Sequence, residues 1–507
     1  MRLPIGIQDF PTLIENNYVY VDKTRLIKQL LNPGQSVFLS RPRRFGKSLL
    51  LSTIQSIYEG RKDLFKGLWL EENHDFKAHP IIRLDFSLLD FDTRSLEVSI
   101  LLELQRVAQN YGLVLRQNTA KSAFEELVRE LSTQAKVVIL IDEYDKPITD
   151  NLLNPEKRLE QQTTLKRIYG TLKPLNSHLE FVMLTGVSKI GKLSLFSDLN
   201  NLKDISLNPE FATLCGYSRQ EIEANFLPEI DQLAEYHGLS LETLWEHVKR
   251  WYNGYSWDVI NRLYCPFSFL LFLEQKDFKS YWYETGTPTF LLGLIEAQQL
   301  NPLEFAQQLT DAEPLSVTDV EFFDPVSLMF QTGYLTLIKK YSSVLGVQYD
   351  LDFPNYEVRI AFSKNLLGHY SKKYDTYIGS FIIALRESVL KLEWETFFAQ
   401  VNKIFASIPY EIFPKQEAYP HSLLHLMLLA TGLKTQSQVQ SSLGRVDILL
   451  QTETHRIVFG IKTQDSAQAA LDQINDKHYT DSLEPPVVKI GACFDLEQKK
   501  FTEWLIA

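Results

Sequence analysis

In the N-terminal part of the chain, short and largely apolar runs recur, at Val37-Phe38-Leu39, Lys136 to Ile141 and Glu180 to Leu184, with a further strand near Pro80 to Phe86 that Arg83 and Asp85 interrupt. Runs of this length, bounded by polar positions, predict strands buried on both faces of a parallel sheet. Between them the apolar positions take a helical spacing, from Leu49 to Tyr58, Thr93 to Ala108, Lys121 to Gln134 and around Gln161 to Leu175. Strands alternating with helices imply a doubly wound α/β sheet whose strand ends gather at one edge. Ahead of it, Asn17 to Val21 alternates enough to predict a strand, and a helix from about Arg25 to Leu31 is stopped by Asn32-Pro33-Gly34. From Gly216 the period is helical: Ser218-Arg219-Gln220-Glu221 reads as a capping box, Ser240 as the cap of a helix running to about Tyr252, and Asn253-Gly254 as a turn. Helices follow at Tyr281 to Gly286 and Pro288 to Gln298. Val326 to Gln331, Tyr334 to Lys340, Gln348 to Phe353 and Glu357 to His369 then read helix, strand, strand, helix, a winged-helix-like order found both in DNA-binding modules and in protein joints. The last segment, from Leu385, reads as helices over Glu393 to Phe405 and Ser422 to Leu429, a strand Gly444 to Leu450, its hairpin partner Arg456 to Lys462, and a helix from Ser466 to Lys477.

At 507 residues the chain is too long for one core. The elements divide it into an α/β core over 1–210, a helical lid over 211–275, a middle helical and winged-helix-like α+β module over 276–384, and a C-terminal α/β domain over 385–507. Hydrophobic residues at 45% and aromatics at 12% suffice for packed cores and exclude a disordered chain. Lys plus Arg number 52 against 63 Asp plus Glu, a net charge of −11, which argues against general coating of nucleic acid but permits a local basic groove. Cys215, Cys265 and Cys493 are widely spaced and form no C-x-x-C, so neither a zinc site nor a disulfide framework is expected, and a reducing compartment fits. The first residues lack an apolar core of secretory length, and runs such as Phe267 to Leu273 and Leu423 to Ala430 are too short for a bilayer. The expected setting is the cytoplasm, away from membranes.

Candidate chemistry begins where the first strand runs into Ser40-Arg41-Pro42-Arg43-Arg44-Phe45-Gly46-Lys47-Ser48. A phosphate-binding loop needs backbone N–H groups curled round a polyphosphate, a lysine for the β- and γ-phosphates, and a hydroxyl on Mg²⁺. Phe45-Gly46-Lys47-Ser48 supplies that ending, while Arg41 stands where the usual G-x-x-x-x-G-K-[ST] string has its first glycine. A second buried strand closing in Asp142-Glu143 completes the pattern: Asp142 would share Mg²⁺ with Ser48, and Glu143 would polarise the attacking water. The plain alternative is a strand capped by solvated acids; both halves together favour a nucleotide site. Thr185 or Ser188, closing the strand at Leu184, would sense the γ-phosphate, against a simple strand-end cap. Tyr18, Tyr20 and Asp22-Lys23-Thr24 are candidates for the base edge, against a surface strand and N-cap. Arg219, Lys249 and Arg250 in the lid are candidates for phosphate, against solvated helix faces. In the last segment, Asp447 in one strand and Lys462 closing the next fit the scaffold of a metal-dependent nuclease, in which two carboxylates hold Mg²⁺ and a lysine orients water. The second acid belongs two positions before Lys462, where Gly460 stands.

These motifs resemble those of bacterial AAA-ATPase-like proteins that carry a C-terminal nuclease-like domain of the PD-(D/E)XK superfamily. The resemblance covers nearly the whole chain and rests on Tyr20 to Thr24, Arg41 to Ser48, Ile141 to Asp145, Leu184 to Lys189, Trp251 to Tyr255, Thr285 to Pro288, Gln331 to Leu335, Gly444 to Asp447, and Gln473 with Lys477 and Tyr479. It implies that Arg41 to Ser48 is the P-loop as it stands, with Arg43, Arg44, Phe45, Gly46, Lys47, Ser48 and Leu49 around ATP, followed by a helical lid and a restriction-endonuclease-like tail. Two departures follow: Gly460-Ile461-Lys462 replaces Glu-Phe-Lys or a close variant, and Gln438 stands where an acid is often seen. One carboxylate leaves a divalent cation under-charged, and the nearest acids that could have migrated are Glu417, Glu453 and Asp465.

The leading expectation is therefore an ATPase or ATP-operated switch using ATP and Mg²⁺, with Lys47, Glu143 and Thr185 at the chemistry, Ser48 and Asp142 on the metal, and a tail that no longer cleaves but can bind nucleic acid or a protein. The rivals are an ATP-gated nuclease with a relocated acid and a non-hydrolysing nucleotide-bound interaction protein; an oligomer is possible in any of them.

Overall fold

A computed structural model describes every residue except 1, 153, 190–200, 285–307, 313–314, 316–323, 345, 374, 409–417, 442–443, 464, 477–482 and 484–485. The expected motif Thr285 to Pro288, the helix Pro288 to Gln298, and Glu417, Lys477 and Tyr479 lie outside the described residues, and of Gln438 only the backbone is described. The chain divides into two compact units, Met1–Trp282 with Gln307–Asn355, and Tyr283–Ala306 with Tyr356–Ala507.

The first unit is built on five strands, β1 (Gln35–Ser40), β2 (Ile81–Asp85), β3 (Val137–Asp142), β4 (Leu179–Gly186) and β5 (Leu202–Asp204), in the order β2-β3-β4-β1-β5. All four pairings are parallel. β3 is buried at all six positions, which is why its sequence is a continuous apolar run and not an alternation. Helices Lys47–Tyr58, Leu96–Asn110, Ala120–Ser132 and Pro155–Tyr169 connect the strands. Three of them start on side-chain caps, Ser95, Thr119 and Asn154. The last of these starts ahead of the expected Gln161 because Asn154-Pro155 is itself a start signal, cap followed by first-turn proline. β4 separates β1 from β3, so the ends of all three strands open on one crevice at the point where the strand order reverses.

The expected strand at Asn17 to Val21 does not form. Only Tyr18 pairs, in an isolated bridge with Arg2, and the Tyr20 ring packs edge-on against Phe10 at 5.0 Å. The alternation there reflects aromatic packing and not a sheet. The lid forms as expected, helix Arg219–His237 opening on the Ser218–Glu221 capping box and Leu241–Tyr252 on Ser240. The two helices share a core of Ile222, Phe226, Leu244, Trp245 and Tyr252 with Phe269 and Phe272 from Pro266–Gln275. The strands β6 (Gln308–Asp311), β7 (Thr336–Ser343) and β8 (Gly346–Asp352) make a small antiparallel sheet after helix Pro325–Thr332. The expected helix, strand and strand are present, while the helix that follows, Tyr356–Ser371, belongs to the second unit. Leu385, the expected start of the last segment, lies inside helix Asp375–Leu390.

The second unit carries a mixed five-stranded sheet of β9 (Lys434–Ser441), β10 (Gly444–Gln451), β11 (Arg456–Lys462), β12 (Val487–Asp495) and β13 (Lys500–Ile506), in the order β13-β12-β11-β10-β9. Only β11 and β12 run parallel, and helix Ala467–Asp476 makes the crossover that a parallel pair requires. Gly460 and Gly491 are register partners in that pair, and the helix lies directly on them. A Cβ on Gly491 would run into the Ala467 carbonyl and the Leu471 amide, whereas one on Gly379, within a helix, meets nothing. Denaturant unfolding is therefore expected to show opposite signs: Gly491→Ala destabilises by about 2 kcal/mol or more through overpacking, and Gly379→Ala stabilises by about 0.5–1 kcal/mol.

Candidate functional site

The crevice at the ends of β1, β3 and β4 is lined first by the loop after β1. Gly46 takes a left-handed conformation (φ 94°) and opens helix Lys47–Tyr58 as an N-cap that has no side chain to bond its first amides. Those N–H groups and the positive end of the helix are suited to a phosphate. Lys47 is buried, and its ammonium donates to the carbonyls of Arg41 (3.1 Å) and Pro42 (3.2 Å). Ser48 and Leu49 are half-buried in the first turn.

Arg41 explains the irregular entry to the loop. Its side chain is fully buried and donates to the carbonyls of Ser40 (2.9 Å), Ser206 (2.8 Å) and Phe211 (3.2 Å), with the guanidinium 4.1 Å from the Trp257 ring. Burial pulls its pKa down to about 10, with Cys215, Asp204 and Asp258 opposing the shift. The first-glycine position is thus a structural arginine turned away from the hollow of the loop. Phe45 is likewise used by the lid: its ring meets Tyr255 at 4.7 Å and Trp257 at 5.4 Å, leaving its backbone for phosphate. Arg43 and Arg44 are exposed, but Arg44, at φ 69°, lays its guanidinium over Phe267 at 4.7 Å.

The acid side is supplied by β3. Asp142 is fully buried; one carboxylate oxygen accepts from the Thr185 hydroxyl at 2.6 Å and from the Glu143 amide at 3.1 Å. The other, Oδ2, is buried with no hydrogen-bond partner among the described residues. An unpaired buried carboxylate oxygen is costly unless something binds it. Glu143 follows at φ 53°, a left-handed conformation that bulky residues avoid and that re-aims its side chain. Burial raises the Glu143 pKa; Lys47 lowers it, Asp145 and Asp142 raise it further, and Arg43 lowers it. These mutual influences put the Glu143 carboxylate within electrostatic reach of the loop cations.

Other sequence candidates are committed elsewhere. Ser188 donates to Asp145 at 2.6 Å from its hydroxyl and 2.7 Å from its amide, so Thr185 is the residue at the Asp142 carboxylate. Asp22 accepts from the Thr24 amide (2.8 Å) and the Trp69 amide (2.9 Å), and Lys23 bonds Glu221 of the lid capping box at 2.5 Å. Arg219 pairs with Glu223 at 2.8 Å and lies over Trp245, and Lys249 and Arg250 are exposed on the lid. Among the described residues no cluster of three or more His, Cys, Asp or Glu side chains is arranged to hold a metal by protein ligands alone. Mg²⁺ does not need one, since it keeps waters and substrate phosphate oxygens and takes one or two protein groups. The Asp142 oxygen fits that role.

In the second unit, Asp447 accepts from the Ile461 amide at 2.8 Å, and Lys462 is half-buried. The position of the second acid is filled: a Cβ on Gly460 would stand 2.9 Å from the Ala470 carbonyl and 3.2 Å from Ile474. Neither described candidate replaces it. Glu453 is exposed in the turn joining β10 to β11, at the end of the pair away from Gly460. Asp465 is exposed and bonds the Ser466 amide at 2.8 Å. Glu503, an acid the sequence reading did not consider, shares a register row with Cys493 and Lys462 and spends a carboxylate oxygen on the Ala467 amide at 3.0 Å. His421, also missed, meets the Asp447 carbonyl at 2.8 Å; its i, i+4 spacing to buried His425 was the available signal.

Comparison with known proteins bears on both units. Residues 4–196 match the family described as predicted AAA-ATPase, and residues 415–504 match the PD-(D/E)XK nuclease superfamily. A protein of Azotobacter chroococcum mcd 1, described as an uncharacterized protein in the vnfD 5′ region, is 34% identical over 521 residues, covering 100% of this chain and 98% of its own length. The chain belongs to this predicted AAA-ATPase family. Its C-terminal part is a PD-(D/E)XK superfamily domain. The parallel sheet of the first unit fits the P-loop fold of such an AAA-ATPase, and the mixed sheet of the second fits the nuclease-like fold. No helix among the described residues is long and apolar enough to cross a membrane. For the nuclease-like domain of this member of the predicted AAA-ATPase family, Gly460→Glu is expected to give no metal-dependent cleavage of DNA or RNA and to lower the denaturation midpoint, because the side chain must displace the helix that covers it; cleavage restored by that single change would contradict the geometry.

Proposed function

We propose that the chain is a Mg²⁺-dependent ATPase that works as an ATP-operated switch, coupled to a nuclease-like domain that binds without cutting. The observation that carries the reading is the fully buried Asp142, held on one oxygen by Thr185 and unpaired on the other, beside a Glu143 under the influence of Lys47 and Arg43. In this reading the helix Lys47–Tyr58 amides and the Lys47 ammonium hold the β- and γ-phosphates of ATP. Ser48 and Asp142 would hold Mg²⁺, which when bound supplies charge neutralisation on the phosphate oxygens. Thr185 fixes the Asp142 carboxylate so that its open oxygen points into the site. Glu143 takes up a proton from the attacking water and orients it, in a transfer that is mostly positioning and charge stabilisation.

The finer domain partition is proposed with it: core 1–210, lid 211–275, middle module 276–384 and nuclease-like domain 385–507. A cytoplasmic home suits the same reading. In this reading the lid is the relay, since Phe45 of the loop packs against Tyr255 and Trp257, and Arg41 lies over Trp257. The tail's partner is proposed as nucleic acid or protein, recognised by shape and phosphate or surface contacts. Against the reading of an ATP-gated nuclease with a relocated acid stand the described candidates: Glu453 lies in the turn at the far end of the β10–β11 pair, and Asp465 is exposed and bonded to the Ser466 amide.

Lys47→Ala is expected to weaken ATP–Mg²⁺ binding at least about a hundredfold, and Glu143→Gln to bind ATP while turning over at least about a hundredfold more slowly. Unchanged affinity in purified Lys47→Ala removes the proposal. The pH profile gives a further check. Glu143 acts ionised and its pKa lies above the ordinary 4.5, so turnover falls as pH drops through that raised value, earlier than an ordinary glutamate would cause. The acid limb should vanish from the residual rate of Glu143→Gln.

A further inference from the structure

Two motifs that stand out in the sequence have no part in the chemistry above, Trp251 to Tyr255 and Gln331 to Leu335. Both lie against the outer side of the P-loop. Tyr255 meets the Phe45 ring. Gly333, at φ 94°, closes helix Pro325–Thr332 so tightly on the loop that a Cβ there would stand 2.7 Å from Pro42 Cβ and Cγ. Trp282, which flanks Gly333, donates its indole N–H to the Arg43 carbonyl at 3.0 Å. Two residues before Gly333, the buried Gln331 accepts from the Lys189 amide at 2.7 Å and donates to the Leu315 carbonyl at 3.3 Å. Lys189 continues directly from β4, the strand whose Thr185 holds Asp142, and its ammonium pairs with Asp204 at 2.9 Å.

One turn of chain therefore touches both halves of the nucleotide site. The loop half needs a seat of this kind. The Lys47 ammonium donates to the Arg41 and Pro42 carbonyls, and its third donor is left for a phosphate. The place of Pro42 therefore sets where that ammonium stands, and the aim is kept only if Pro42 has a rigid backing. Gly333 is what lies behind it.

We propose that Gln331 and Gly333 are positioning residues of the nucleotide site: they hold the P-loop at Pro42 and the exit of β4 at Lys189 in one register, so that Lys47 and the Thr185–Asp142 pair meet the triphosphate together. The inference rests on the ATPase reading and assigns these residues no contact with substrate.

The test compares two full-length variants on one helix. Gln331→Met keeps the bulk of the side chain and removes the amide bonds to Lys189 and Leu315; Asp324→Ala removes the N-cap of the same helix, whose carboxylate bonds the helix's own Val326 and Ser327. For each, the dissociation constant for ATP–Mg²⁺, kcat, KM and the melting midpoint are measured. Gln331→Met should lower kcat about tenfold with the dissociation constant changed less than about threefold, because alignment and not grip is lost. Asp324→Ala should lower the melting midpoint and leave kcat within about twofold of wild type. Wild-type kcat in Gln331→Met, or equal kcat losses in the two variants at equal melting midpoints, overturns the inference while leaving the ATPase reading intact. A wild-type chain that neither binds nor hydrolyses ATP overturns both. If Gln331→Met does not fold, Gln331→Asn, which withdraws the amide by one methylene, is read by the same criteria.

Discussion

A buried carboxylate with one oxygen bonded and the other open is the constraint around which the first unit is arranged. Asp142 has given up hydration on both oxygens, and Thr185 and the Glu143 amide return only part of it. Folding tolerates such a group when it is held rigidly and completed by something from outside. The sheet order supplies the rigidity. Because β4 lies between β1 and β3, the Thr185 hydroxyl closing β4 reaches sideways to Asp142, while the P-loop leaves β1 on the far side. The ends of β1, β3 and β4 therefore bring the P-loop and the Asp142 carboxylate to the same edge of the sheet.

The unusual composition of the loop follows from what lies behind it. A common P-loop begins with glycine because its backbone must turn freely; here Arg41 fills that place and three buried carbonyls and Trp257 hold the turn. Phe45 and Arg44 face lid aromatics in the same way. The nuclease-like sheet shows the opposite tendency. There two glycines, paired across β11 and β12, have let a helix settle where a catalytic acid would project. In the first unit a carboxylate at a strand end keeps an unpaired oxygen, and in the second a helix covers the glycine at the place expected for the second acid.

Much of this was legible from residue pattern. The four long strands of the parallel sheet, the capping box at Ser218 and the N-cap at Ser240 in the lid, and the strand ends running into Gly46-Lys47-Ser48 and Asp142-Glu143 are local signals, because buried parallel strands and helix starts are written in a few consecutive residues. The strand at Asn17 to Val21 failed because aromatic alternation can serve packing on Phe10 as well as a sheet. β9, β12 and β13 went unread; of these, Lys434–Ser441 is an edge strand with little apolar content and shows no core-facing run. β5 is only three residues long. The roles of Arg41, Trp257 and Gln331 could not be read at all, since each depends on contacts between residues far apart in sequence. The glycine at 460 was read from the sequence as a missing ligand, whereas the helix resting on it is a fact of packing that no local run of residues shows.

The claim that a nucleotide is held between the loop ending at Ser48 and the acids closing β3 is tested most directly by isothermal titration of ATP into the purified wild-type chain, with and without Mg²⁺, followed by a turnover assay on the same sample. One site per chain, tighter with Mg²⁺ and followed by phosphate release, is the predicted result. Absence of binding in both titrations, or binding that Mg²⁺ leaves unchanged, would contradict it.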